Sequence, residues 1–471
     1  MSAIPESKPS QLALVALWVS ILGSFLTPFM GSAINVALPD ISKEFNMNAM
    51  SLGWVATSYL LAAAIVLVPI GRLADIHGRK KIYLIGIIIY TIASFFCGIA
   101  STGTMLIIYR IIQGFGGAMM FSTATAILVS IYPAEKRGKA LGIVVASVYI
   151  ALSAGPFLGG FMTHYMGWRS IFLFNIPLGL LVIVLVVTKL KGEWAEAKGE
   201  KFDWIGSVVY AISILGVIYG LSILPSTLGA IYIGIGIVFF VVFFMLQTKL
   251  KFPVLDLQHF TKNRVFALSN LSALINYSAT FAIAFLLSLY LQYVKGMEPQ
   301  QAGLILVAQP IMMAAFSPLA GRLSDKLEAR LLASAGMAIT VIGLSILAFF
   351  NEHTTISSIV LSLVLLGFGF ALFSSPNTNA VMSSVEKRFL GIASATLSTM
   401  RLTGQMFSMG IAMLIMNIYI GKVKINIDNY PSFLSAMKLV FLIFAILCVI
   451  GVFASLVRGK EKKLKSNLER S

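Results

Sequence analysis

Fourteen apolar stretches, each near or above twenty residues, run from one end of this chain to the other and leave few folds open to it. A bilayer core of about 30 Å takes roughly 20 residues of helix to cross. The stretches lie at 12–38, 50–71, 82–101, 104–131, 139–162, 169–188, 204–224, 228–247, 265–294, 302–321, 331–350, 356–383, 391–417 and 433–457. With 58% hydrophobic and 11% charged residues and a mean hydropathy of +0.92, the chain cannot present the surface of a water-soluble globule. The expectation is an all-α polytopic membrane protein.

The formal charge of +17 would suggest nucleic acid in a soluble protein, so its placement decides its meaning. If Met1 starts in the cytoplasm, 27 basic residues fall inside, on the loops Arg72–Lys81, Lys136–Lys139, Lys189–Lys201, Lys249–Arg264, Arg322–Arg330 and Lys387–Arg388, at Lys8 and on the tail Arg458–Arg470; 6 fall outside. That bias predicts a cell-membrane protein with both termini cytoplasmic and no nucleic-acid partner. Cys97 and Cys448 fall in separate spans, and His77, His164, His259 and His353 in four loops, so no disulfide, metal centre or histidine relay is expected. The first apolar run is too long for a cleavable signal peptide and lacks a small-residue cleavage site.

An internal repeat organises the spans. Gly71-Arg-Leu-Ala-Asp75-Ile-His-Gly78-Arg79-Lys80 follows span two, and Gly321-Arg-Leu-Ser-Asp325-Lys-Leu-Glu-Ala-Arg330 follows span ten, 250 residues later. Gly114-Phe-Gly116 answers Gly367-Phe-Gly369, and Glu135-Lys-Arg137 answers Glu386-Lys-Arg388, at nearly the same offset. A duplicated six-helix unit explains this, with residues 1–190 as one bundle and 251–471 as a second in the same orientation. Spans seven and eight, within 191–250, have no counterpart. They carry no charge between Asp203 and Lys249 and read as an inserted hairpin at the periphery.

Several motifs, in order, resemble the fourteen-span drug:proton antiporters of the major facilitator superfamily. The Gly71–Lys80 loop is similar to the superfamily's cytoplasmic signature, Leu106-Ile-Ile-Tyr-Arg110-Ile-Ile-Gln113-Gly114 to its arginine motif, and Gly142, Gly155-Pro156 and Gly159-Gly160 to the antiporter motif, with Ala151 where a glycine is usual. Asn35-Val-Ala-Leu-Pro39, Trp168-Arg169, Asn175-Ile-Pro177, Phe202-Asp-Trp-Ile-Gly206 and Pro376-Asn377 add to the match. The resemblance implies a secondary active exporter of small amphipathic compounds, working by alternating access as a monomer on the proton gradient, with no cofactor. No Walker-type phosphate loop is present to drive it by nucleotide. A facilitator of an anionic or neutral metabolite is the other reading.

Physical chemistry assigns the motifs roles of their own. Gly142, Gly155, Gly159 and Gly160 let a neighbouring helix approach, and Pro156 permits a bend; tight packing and a moving bend both fit. Asp75, Arg79 and Lys80 can pair with the opposite half when the inside is shut, with Glu135 as the expected partner of Arg79 and Gly321, Asp325 and Arg330 as the repeat's equivalents; fixing topology alone is the plainer role. Arg110 and Arg401 lie within apolar spans, where a cation costs from about 2.5 kcal/mol upward, so each should face a watered cavity or a partner. Arg401 belongs to a polar stripe with Ser394, Ser398 and Gln405, and Ser24, Thr27, Gly31, Ser32 and Asn35 form a similar face on span one. Gln113, Asn276, Gln309 and Asn377 are further cavity candidates.

Of eighteen acids only Asp40 approaches the membrane interior, at the expected outer end of span one. Met30 stands where similar antiporters carry an aspartate. The cavity is therefore expected to be net positive and to favour neutral or anionic cargo. No cluster of His, Asp, Glu or Cys shares one membrane depth, which argues against a membrane enzyme. The nearly complete moving-part motifs and short hydrophilic stretches argue against a transport-inactive sensor.

Overall fold

The structure, a computed structural model, describes residues 11–132, 134–250, 263–385, 390–421 and 423–459. The side chains of Glu135 and Asp325 lie outside the described residues, so their expected pairings do too. Fourteen helical spans are present, and the described residues contain no strand. We label them α1 (Gln11–Phe45), α2 (Ala49–His77), α3 (Arg79–Gly98), α4 (Gly103–Ile131), α5 (Ala134–Met166), α6 (Arg169–Thr188), α7 (Trp204–Ile223), α8 (Thr227–Gln247), α9 (Arg264–Val294), α10 (Pro299–Ser324), α11 (Ala329–Ala348), α12 (Ile356–Ser383), α13 (Leu390–Tyr419) and α14 (Ile427–Val457). Polar side chains set many of their starts by accepting an otherwise orphaned first-turn N–H: Asn48 for α2, Thr102 for α4, Asp203 for α7, Ser226 for α8, Asn263 for α9 and Thr355 for α12. Between α2 and α3 the chain reverses on Gly78 alone, at φ +115°, a region that L side chains rarely adopt.

α1–α6 pack into one bundle and α9–α14 into another. The same contact builds both. In the first, Gly86 and Gly116 bring α3 and α4 so close that a Cβ on Gly116 would stand 2.7 Å from the Gly86 carbonyl oxygen; in the second, Gly336 and Gly369 do this for α11 and α12, at 2.7 Å. In lipid, which offers no hydrophobic force between helices, such close backbone approach supplies the dispersion that holds them.

α7 and α8 form a hairpin zipped by Gly216, Gly220, Gly229 and Gly236. α8 is peripheral as expected, with Leu228, Ile231, Ile235, Val238 and Val242 exposed along one face, an arrangement that only lipid satisfies. α7 is less peripheral than the sequence suggests. It lies across the line where α2 of one bundle meets α13 of the other, packing Tyr219 against Trp54 with ring centres 5.9 Å apart and placing the Leu224 carbonyl 2.6 Å from Asn417 Nδ2. The Phe202–Gly206 motif holds this hairpin together: Asp203 caps α7 through the Gly206 N–H (2.7 Å) and accepts from Gln247 Nε2 (2.7 Å) at the far end of α8.

One boundary is corrected. α1 does not end at Leu38 but continues through Pro39 to Phe45, so Asp40 lies within the helix and is half-buried. The apolar run stops early because the last two turns pack against protein as well as membrane, and polar residues are admitted there.

Candidate functional site

A polar groove runs between the bundles, and its two ends are built differently. Far from the basic loops the bundles close on each other. Pro39 has no N–H to give the Asn35 carbonyl, and a serine of the other bundle replaces it: Ser288 Oγ donates to Asn35 O at 2.6 Å, while Gln292 Nε2 donates to Val36 O at 2.9 Å. Beside them α5 meets α10 with backbone against backbone, since a Cβ on Gly160 would stand 2.6 Å from Pro299 O and one on Gly303 2.1 Å from Pro156 O. Ala49 N–H donates to Val423 O at 3.1 Å on the opposite flank. His164 Nδ1 of α5 lies 3.5 Å from Glu298 Oε2 at the start of α10, and Asp40 is within electrostatic reach of both and of Lys43.

The antiporter-like motif on α5 is thus a packing surface. Gly155 and Gly159 seat against Ser32 and Ala33 of α1, and Gly160 against α10. Pro156 leaves the Leu152 carbonyl without its helical donor, and Ser32 Oγ supplies one at 3.2 Å. Gly142 alone has open space around it.

At the head of the groove a small cleft is lined by Gly31, Ile34, Asn35, Ala56, Tyr59, Leu60, Arg110 and, from the second bundle, Phe281. Arg110 is only 1% exposed and has no carboxylate partner among the described residues. Its Nε donates to Val55 O (3.1 Å), its Nη1 to Gln113 Oε1 (2.6 Å), and its carbon lies 4.6 Å from the centre of the Tyr59 ring. Gln113 in turn donates to Ser94 Oγ (2.7 Å), whose hydroxyl bonds the Tyr90 carbonyl (2.7 Å). Gln113 is wholly buried and holds Arg110 in place; it does not line the groove, because both ends of its amide are used between α3 and α4.

Arg401 is placed otherwise. It is half-buried, donates from Nη2 to Thr378 Oγ1 at 2.6 Å, and lies 5.7 Å from the centre of the Tyr277 ring. Its buried Nε has no acceptor among the described residues. Ser394, Ser398 and Gln405 share its half-buried state. Gln309 is also half-buried, and its carbonyl packs on Gly367. Asn276 is fully buried on α9 with neither amide atom bonded among the described residues.

Asn377 is a correction. It lies in the core of the second bundle, donating to Ser269 O (3.0 Å) and accepting from Arg458 Nη1 (2.9 Å), which also donates to Ser269 Oγ (3.1 Å). Arg458 is 1% exposed, although the sequence places it at the head of a basic tail. Its position immediately after α14 was the one available signal.

At the basic-loop end, acceptors come from an unexpected quarter. Arg79 bonds Asp75 (2.7 Å), Glu196 (2.7 Å) and Ser130 (2.8 Å). Glu196 belongs to the connection between α6 and α7, which folds back beneath the signature loop: Arg79 N–H donates to Trp194 O (2.8 Å), Ala197 N–H to Asp75 O (2.9 Å) and Lys80 N–H to Glu193 Oε1 (2.8 Å), and Arg72 pairs with Glu200. A Cβ on Gly78 would meet the Glu193 carboxyl at 2.4 Å. A Cβ on Gly71 would have room, with Ser122 Cβ 3.9 Å away, whereas one on Gly321 would stand 2.9 Å from Ser375 Oγ. Arg330 pairs locally with Glu328 at 2.5 Å.

Two six-helix bundles, closed on each other at one end and carrying a buried Arg110 and a half-buried Arg401 within their spans, are the build of a membrane transporter. The pattern described as Major Facilitator Superfamily matches residues 20–267 and 269–471, and the chain belongs to that superfamily, whose members are transporters and not enzymes. It is 30% identical over 388 residues to the riboflavin transporter RibZ of Clostridioides difficile, covering 82% of this chain and 84% of that one. It is 31% identical over 397 residues to the multidrug resistance protein Stp of Mycobacterium tuberculosis (83% and 73%) and 31% identical over 391 residues to multidrug resistance protein 3 of Bacillus subtilis (82% and 76%). Among solved structures it is similar in fold to a bacterial homologue of the lysosomal transporter Spinster, with a TM-score of 0.67 at 16% identity over 96% of this chain and 98% of that one. A D-xylose–proton symporter gives 0.67 at 14% identity over 95% and 98%.

Proposed function

We propose that this protein is a secondary active exporter of small amphipathic compounds, driven by the proton gradient across the cell membrane and working by alternating access, with both termini in the cytoplasm. The seam carries this reading. Its cross-bundle hydrogen bonds gather at the end away from the basic loops, while the Ser24, Thr27 and Gly31 face of α1 stays half-exposed below them. By the positive-inside bias, the groove here opens inward. Residues Asn35, Arg110, Gln309, Arg401 and Gln405 form the cargo path, with Asn276 behind it. The Gly71–Lys80 loop and its repeat at Gly321–Arg330 form the inner gate.

The chain acts as a single subunit upon a small molecule in lipid, needing no cofactor and no metal. Relatives named for multidrug resistance support efflux. The relative named for riboflavin, together with the lack of any Asp or Glu within α4, α9, α10, α12 and α13, favours a second reading: transfer of one neutral or anionic metabolite without carboxylate coupling. Purified protein in liposomes decides between them. Export of several unrelated dyes that rises with an imposed pH gradient supports the first, and gradient-independent passage of a single compound class supports the second.

A further inference from the structure

The sequence treats Arg110 and Arg401 alike, and the structure separates them. Arg110 is 1% exposed, with its Nε bonded to Val55 O, its Nη1 to Gln113 Oε1 and the Tyr59 ring over its face. Arg401 is half-buried, with a single described hydrogen bond, to Thr378, and a buried Nε left without an acceptor among the described residues. A guanidinium has five N–H donors in a planar fork suited to a carboxylate, sulfonate or phosphate. No carboxylate pairs with it among the described residues, and α4, α9, α10, α12 and α13 contain no Asp or Glu within their spans.

The surroundings add a flat apolar surface. Tyr277 lies beside Arg401 and packs edge-on against Phe370 at 5.3 Å. One turn further along α9, Phe281 lines the cleft at Arg110 with Tyr59. Tyr149 of the first bundle is within electrostatic reach of Tyr277 across the groove. An aromatic face thus runs from the half-buried cation to the buried one.

We propose that Arg401 anchors the cargo: the groove selects planar compounds bearing one anionic group, with the anion on Arg401 and the ring system on Tyr277 and Phe281, and it discriminates against cations. This rests on the transporter reading above and names the substrate class of the same groove. Two unit charges about 6 Å apart at an effective dielectric of about 20 change an affinity by on the order of 100-fold.

The test is equilibrium binding by fluorescence anisotropy to the purified full chain in detergent, without any gradient. The probes are fluorescein and rhodamine 123, which share a xanthene ring and differ in charge, and neutral riboflavin. Fluorescein is expected to bind at least about tenfold more tightly than rhodamine 123, Arg401→Gln to shrink that ratio to within about threefold, and Arg401→Lys to retain most of it. Riboflavin binding should change less than either. Equal affinity for the two xanthenes in the unmodified protein overturns the proposal. So does an equal loss for all three probes in Arg401→Gln, which would mark a structural role, or no binding of any probe. The same probes in liposomes keep the two readings apart. The expected binding order with no compound moving removes the transport reading and leaves the anchor, whereas brisk export of rhodamine 123 removes the anchor and leaves transport.

Discussion

Ser32 and Ser288 each give a hydroxyl to a carbonyl that a proline has orphaned, yet they answer to different states of the protein. Ser32 serves Leu152 within one bundle, so its bond persists whichever way the groove faces. Ser288 serves Asn35 across the seam, and its bond exists only while that end is shut. A buried carbonyl left unsatisfied costs about 1–3 kcal/mol. Ser32→Ala is therefore expected to lower the thermal unfolding temperature with little bias between conformations. Ser288→Ala is expected to leave unfolding nearly unchanged and to raise the share of molecules open at the seam, read as faster thiol labelling of a cysteine placed at Val36. Similar labelling in both variants would show that the Asn35 carbonyl is not part of the seal. Of these residues the sequence revealed the prolines and the polar face of α1. It could not pair Pro39 with Ser288, because the partner lies on another helix more than 200 residues away and nothing local marks it.

Among the elements, the connection between α6 and α7 changes the meaning of the signature loop. Charges expected to reach the opposite half when the inside is shut grip, in the conformation seen here, a strap from their own side, through Glu193, Glu196 and Glu200. The sequence displayed these acids, but only folding shows that their segment turns back beneath α2 and α3. Asp75→Asn removes one part-buried pairing and leaves Arg79 bonded to Glu196 and Ser130, so expression should stay near normal while export in vesicles falls several-fold. Unchanged export would remove Asp75 from the gate. Glu196→Gln offers a sharper check: if the strap is what holds Arg79, trypsin should cut after Lys198 faster in this variant than in the parent. The hairpin divides by helix in the same way. Cysteines midway along α8 should resist water-soluble maleimides, as its lipid-facing Ile235 and Val238 require, and ready labelling there would contradict a peripheral placement.

At the scale of the molecule the seam is a contact of backbones, and small side chains decide whether it can form. Gly160→Ala would put a methyl group 2.6 Å from Pro299 O, an overpacking of roughly 1–3 kcal/mol that burdens only the closed seam. The expected result is a population shift of about 5- to 150-fold toward the conformation open at that end, measured as a longer distance between spin labels at His164 and Glu298. An unchanged distance distribution would mean that the bundles meet there less tightly. The large plan was legible in the sequence because length, charge bias and repeat are global properties: fourteen spans and two like bundles follow from them. The groove's chemistry was legible in part. Arg401 and its stripe announced themselves by polarity in an apolar span, whereas the burial of Arg458 and Asn377 depended on the packing of three helices at once.

The Asn35 carbonyl carries one further consequence. When the seam parts, Ser288 withdraws, and since no other side chain bonds this carbonyl among the described residues, solvent is the donor left to replace it. Hydration must therefore accompany the first movement of the bundles, which makes water a stoichiometric participant in that step. Lowered water activity, imposed with a solute too large to enter the groove, should then hold the protein in the conformation seen here without touching any cargo-binding group.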